Sequence, residues 1–270
     1  MVWWYPGLFS QGYRKEGHTF NMNKEAEDWY QRGTALVCVG RYAEAIACFD
    51  RALERDPDNP AALVALGAGV DRLGLFHETI VCCERALEIN PEMTDAWFMK
   101  GIALFRLAQY SDAVTCFEHI IESERDHAEA WFMKGNNHYQ NGELKEAIRC
   151  FGETIRIRPK YPKALYNKGV ALADLGEFEE AIRWYDRCLA INPGVAVVMT
   201  NKGVALAQLR RYHEAEVLLR EALEIDSRDV IAWSTLGLCL SKLGRDQEAL
   251  ACFAKARDLA GMRDRREIAR

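Results

Sequence analysis

Apolar residues recur along most of this chain three or four positions apart, the spacing of a single helix face. Residues 128–161 show the unit most clearly. Trp131, Gly135 and His138 stand at i, i+4 and i+7 and predict a first helix. Gly142 falls where that helix must stop, the usual place for a left-handed cap residue. Ala147, Phe151 and Thr154 repeat the spacing on a second helix, and Pro159 forbids its continuation.

Stepping by 34 residues in both directions reproduces this unit seven times: 26–59, 60–93, 94–127, 128–161, 162–195, 196–229 and 230–263. No insertion or deletion interrupts the run. Counting Ala128 as position 1, position 8 is glycine in every copy: Gly33, Gly67, Gly101, Gly135, Gly169, Gly203 and Gly237. Position 20 reads Ala45, Thr79, Ala113, Ala147, Ala181, Ala215 and Ala249, and position 4 reads Trp29, Leu63, Trp97, Trp131, Leu165, Met199 and Trp233. Two antiparallel helices approach closely only where one side is small. Positions 8 and 20 supply that side, and large residues at 4, 11, 17 and 24 fill the rest. One helical pair cannot bury its apolar face alone, so neighbouring pairs must stack on it.

These positions resemble the tetratricopeptide repeat family, whose 34-residue signature reads W-L-G-Y-A-F-A-P. The resemblance covers residues 26–263 and holds register through seven copies. It implies an all-α fold, a right-handed α-solenoid (superhelix) of seven 34-residue helix-turn-helix repeats. It also implies a concave groove lined by the first helix of each repeat.

Outside the repeats lie residues 1–25 and 264–270. The first segment carries Trp3, Trp4, Tyr5, Phe9, Tyr13 and Phe20. Three readings are open for it: a flexible tail, a segment docked on the first repeat, or a translation start at Met22 instead. The second is a basic tail that does not continue the apolar register. The last helix is therefore expected to leave an apolar edge uncovered, a candidate for weak self-association through the terminal repeats.

The net charge of −5 argues against a nucleic-acid partner, which would favour a basic stripe. No stretch approaches the roughly 20 apolar residues that span a membrane, and the N-terminus lacks a charged leading region of the secretory kind. A cytoplasmic location is expected. Five of the nine cysteines, Cys48, Cys82, Cys116, Cys150 and Cys252, share position 23. Equivalent positions of successive repeats lie about 8–10 Å apart or more, too far to converge on one metal ion. They read as small residues beside the core. The histidines form no ligand pair, and His138, at position 11, reads as packed. No phosphate loop or nucleophile elbow occurs. No metal, cofactor or enzymatic activity is assigned.

In the family the groove is lined by positions 2, 5, 6, 9, 12 and 13. Carried onto this chain, the expected peptide-binding residues are Phe98, Phe132 and Tyr166 at position 5, Asn167 and Asn201 at 6, and Asn136 at 9. Phe105 and Tyr139 stand at position 12 and Gln140 at 13. Asparagine both donates and accepts, so it pairs with the backbone of an extended peptide, while the aromatics select apolar side chains. Phe98, Phe132 and Tyr139 are expected partly exposed, with Trp97 and Trp131 buried. The family's carboxylate clamp for chaperone tails is matched only at Asn136 and Asn167; Phe132, Val197 and Asn201 depart from it. The expected function is a non-enzymatic adaptor for a peptide segment or protein surface. The alternatives are a self-assembling structural solenoid and an accessory subunit of an enzyme or secretion complex.

Overall fold

The computed structural model describes residues 24–268, with side chains to residue 261. The expectations for the aromatic extension, for a start at Met22 and for the side chains of the basic tail fall outside the described residues.

Fourteen α-helices make up the described chain: α1 Lys24–Cys38, α2 Tyr42–Arg55, α3 Pro60–Asp71, α4 Phe76–Ile89, α5 Thr94–Arg106, α6 Tyr110–Ser123, α7 Ala128–Gln140, α8 Leu144–Ile157, α9 Pro162–Asp174, α10 Phe178–Ile191, α11 Ala196–Gln208, α12 Tyr212–Ile225, α13 Val230–Lys242 and α14 Asp246–Ile268. Each repeat contributes an A helix (odd number) and a B helix (even number). The architecture is an all-helical repeat solenoid. The chain groups into two compact units, residues 1–137 and 138–270, which divide inside α7.

Within each repeat the A helix is ended by one device. Position 15 takes a left-handed backbone, with φ of 77° at Gly40, 81° at Gly74, 80° at Gly142, 87° at Gly176 and 77° at Gly244. The reversal lets the next N–H reach back over the helix end, as in Arg41 N–H to the Leu36 carbonyl at 3.0 Å. Ala108 and Arg210 adopt the same conformation, with φ of 59° and 60°, although their Cβ atoms disfavour it.

In the first and third repeats the position-8 glycine seats the position-24 ring of its own repeat. A Cβ at Gly33 would lie 2.5 Å from Phe49 Cε1, and one at Gly101 would lie 2.7 Å from Phe117 Cζ. Both rings are fully buried. The second repeat departs from the signature at Thr79, whose hydroxyl donates to the Gly67 carbonyl at 3.1 Å and so satisfies a polar atom inside the helix contact. Asn59 caps α3 by accepting from Ala62 N–H at 3.0 Å.

The second unit repeats the arrangement. Cβ atoms at Gly169, Gly203 and Gly237 would lie 2.6–2.7 Å from Tyr185, Leu219 and Phe253. Asp229 caps α13 through the N–H groups of Ile231 and Ala232. In the last repeat the cover runs out. Phe253 is 40% exposed where Phe49, Phe117 and Phe151 are at 0%, and Leu250 is 68% exposed. This is the uncovered apolar edge expected from the pattern. The last helix is longer than that pattern suggests, since α14 runs 23 residues and continues past residue 263.

Candidate functional site

In the first unit, Phe98 and Phe132 do not lie open. They are 6% and 1% exposed, which overturns the expectation of partly exposed groove aromatics. The reason is helical geometry. Positions 4 and 5 stand four and three residues before the glycine at position 8, so both flank the face that receives the B helix. Phe98 accordingly meets Phe117 edge-on at 5.6 Å and His127 at 5.9 Å, and Tyr30 lies 6.0 Å from Phe49. Position 5 thus packs against position 24.

Trp97 and Trp131, expected buried, are only half-buried. Their rings lie at the rim so that the indole N–H reaches a loop carbonyl six residues back, Pro91 at 2.7 Å and Arg125 at 2.9 Å. Phe105 is half-buried against Tyr110 at 5.6 Å. Asn136 is buried, with its amide nitrogen 3.8 Å from Met133 Sδ.

The expected site residues of the second unit form a more open, polar set. Tyr139 and Tyr166 are half-buried, as are Asn167 and Asn201, and Gln140 is exposed. Two hydrogen bonds join successive A helices. The Tyr139 hydroxyl donates to Asp174 Oδ2 at 2.5 Å, and the Asn201 amide donates to the Tyr166 hydroxyl at 2.8 Å. Burial and the Asp174 carboxylate push the Tyr139 phenol up to about 12, and burial raises Tyr166 as well. Tyr166 also packs on Tyr185, with ring centres 6.2 Å apart.

The first unit uses the same two positions differently. Asp71, at position 12 of the second repeat, is 6% exposed and lies 3.5 Å from Arg106, at position 13 of the third. Burial raises its carboxyl against the pull of Arg106 and Arg72. Positions 12 and 13 of successive repeats therefore carry an ion pair in one unit and a phenol–carboxylate pair in the other.

His138 bonds Glu143 through Nδ1, and that bond lowers the Glu143 carboxyl. All nine cysteines are free thiols, and burial raises Cys116 to about 11, so it stays protonated near neutral pH. Among the described residues no cluster of His, Cys, Asp or Glu could hold a metal ion, and no helix is long and apolar enough to cross a membrane.

A further set of contacts links successive repeats. Lysine stands at position 7 in four repeats and in three of them meets an acid at position 25 of the preceding repeat. Lys100 lies 2.8 Å from Glu84, Lys134 2.6 Å from Glu118 and Lys202 2.5 Å from Asp186. The signal was present in the 34-residue columns, as lysine in one and acid in the other.

Residues 117–266 match the family model described as Cilia and flagella-associated protein 70 C-terminal domain, and residues 26–59 and 94–127 each match Tetratricopeptide repeat. No curated protein matches the chain. Among solved structures, the C-terminal part of a TPR repeat-containing protein from Cytophaga hutchinsonii is 18% identical with a TM-score of 0.71, covering 85% of this chain and 95% of that one. MamA from Desulfovibrio magneticus RS-1 is 17% identical with a TM-score of 0.60, covering 64% and 97%. YrrB, described as a TPR protein with an unusual peptide-binding site, is 19% identical with a TM-score of 0.60, covering 68% and 95%. At these identities the likeness is one of fold.

Proposed function

Since this chain belongs to the tetratricopeptide-repeat family, and over residues 117–266 to that of the Cilia and flagella-associated protein 70 C-terminal domain, we propose that it is a non-enzymatic protein-interaction scaffold. Its binding surface is the A-helix face of the second unit, and its ligand is an extended peptide segment. The observation that carries this is the polar set Tyr139, Gln140, Tyr166, Asn167 and Asn201, half-buried to exposed on the ends and faces of α7, α9 and α11. Amide groups at Asn167 and Asn201 offer donor and acceptor to a peptide backbone. In the first unit the corresponding aromatics are engaged in packing, so they support the scaffold and do not contact the ligand. YrrB, which shares the fold, is described as having a peptide-binding site, and that agrees with this reading.

Site-specific photocrosslinking tests the proposal. A benzophenone amino acid at Gln140 should crosslink to partner chains, and the same group at Val81, exposed on the B helix α4, should not. Equal yields from both positions would refute the A-helix surface. A second reading, self-association through the last repeat, is favoured by the exposure of Leu250 and Phe253. Light scattering across a concentration series distinguishes it, since a scaffold that works as a monomer keeps a constant mass.

A further inference from the structure

The lysine–carboxylate ladder is incomplete at one rung. The fourth repeat has Gly152 at position 25, where its neighbours in the ladder have Glu84, Glu118 and Asp186. Lys168 is still present at position 7 of the fifth repeat, half-buried and without a carboxylate in ion-pair contact. A Cβ at Gly152 would lie 3.4 Å from Lys168 Nζ, so the ammonium stands beside the place where the missing side chain would begin.

The surroundings of Lys168 are also unlike those of the other rungs. Lys100 and Lys134 lie 5.7 Å from the position-4 tryptophans Trp97 and Trp131. The fifth repeat has Leu165 at position 4 and carries its tryptophan at position 23, where five repeats have cysteine. Lys168 Nζ is 4.1 Å from the centre of that Trp184 ring, and the Arg187 guanidinium is 4.5 Å from it. The Trp184 indole nitrogen is buried without a hydrogen-bond partner. Glu180 acts on Lys168 from a distance, but its carboxylate pairs with Arg183 at 3.0 Å. Burial and the Arg187 charge lower the Lys168 ammonium, as expected of a cation with no anion at hand.

We propose that Lys168, Arg187 and Trp184 form a docking point for a carboxylate side chain supplied by a protein partner, seated beside Gly152 where the other rungs carry their own acid. The carboxylate would complete with Lys168 the pairing that the ladder makes internally at three rungs. Two cations converging on one indole are a poor arrangement alone and a good one with an anion between or beside them. The site uses none of the A-helix residues of the proposed peptide surface and stands or falls separately from it.

The test uses the full chain labelled with 15N. The Trp184 indole N–H signal is identified by its loss in Trp184→Phe and followed during titration with capped tetraglutamate, capped tetraglutamine and inorganic phosphate. The Trp184 signal should shift saturably with tetraglutamate, and tetraglutamine should leave it in place. The response should be retained in Gly152→Ala and weakened at least tenfold in Lys168→Met and in Gly152→Glu, where the carboxylate is supplied internally. Gly152→Glu should also melt higher than Gly152→Ala, and the difference should vanish when Lys168→Met is added. No shift with tetraglutamate, an undiminished shift in Gly152→Glu, or a response to phosphate alone would overturn the proposal, as would equal melting of the Glu and Ala variants.

Discussion

Gly101→Ala isolates the contact on which each repeat is built. An added Cβ would sit 2.7 Å from Phe117 Cζ and 3.0 and 3.1 Å from Cε2 and Cε1. The Phe117 ring is fully buried and edge-on to Phe98, so it has no free space to turn into. Overpacking of this kind costs about 1–3 kcal/mol. Alanine is favoured over glycine in a helix interior by about 1 kcal/mol, which opposes that cost. A net destabilisation of about 1 kcal/mol is expected, read as a lower urea midpoint in far-UV circular dichroism. The sign should reverse once the ring is gone. In a Phe117→Ala background the clash is removed and Gly101→Ala should stabilise by up to about 1 kcal/mol. Gly152→Ala is the matched control, because its Cβ meets only the end of Lys168 at 3.4 Å, and it should stabilise in the intact chain. If Gly101→Ala stabilises equally with and without Phe117, the close approach at position 8 is not what the glycine is for.

Phe132→Ala should destabilise the chain by about 3–5 kcal/mol, measured by urea unfolding, because the ring is 1% exposed; a change in binding alone would mean it is a surface residue. Ala108→Gly and Arg210→Gly should each raise the melting temperature, since both positions hold a left-handed backbone that glycine adopts without strain, with a gain of up to about 1 kcal/mol apiece. Tyr139 has a folded pKa near 12 against about 10 for a free phenol. Its stabilising contribution is therefore complete below pH about 10 and lost as pH rises toward 12, so the urea midpoint should fall between about pH 10 and 12, and fall less in Tyr139→Phe.

The parts of the fold that were legible in the sequence are those set by one residue in its own helix. Glycine at position 8, alanine at 20 and glycine at 15 announce a close approach, a packed face and a helix end, and each is found there. The left-handed turns at Ala108 and Arg210 were not legible, because neither residue prefers that backbone, although each closes the same hydrogen bonds over its helix end as the glycines do. Position 5 is a groove position in the family, and a 100° step from position 4 does not turn it away from the B helix here. Its three-residue spacing from glycine 8 keeps it on the shared face, and Phe98 and Phe132 are buried in consequence. The bonds that shape the candidate surface join residues a full repeat apart, Tyr139 to Asp174 and Asn201 to Tyr166. Spacing within one helix cannot reveal such pairs. Columns read across repeats can, as the lysines at position 7 and acids at position 25 show.

The proposed binding of an extended peptide by the A-helix face of the second unit rests on Asn167 and Asn201. The most direct test is to select peptides from a random display library on the immobilised chain, then to measure the affinity of one selected peptide by fluorescence anisotropy. The wild type should bind saturably, and the Asn167→Ala, Asn201→Ala double variant should bind at least about tenfold more weakly with unchanged helicity, as loss of two backbone pairings of about 1 kcal/mol each requires. Equal affinity of the two proteins for the selected peptide would contradict binding through these asparagines.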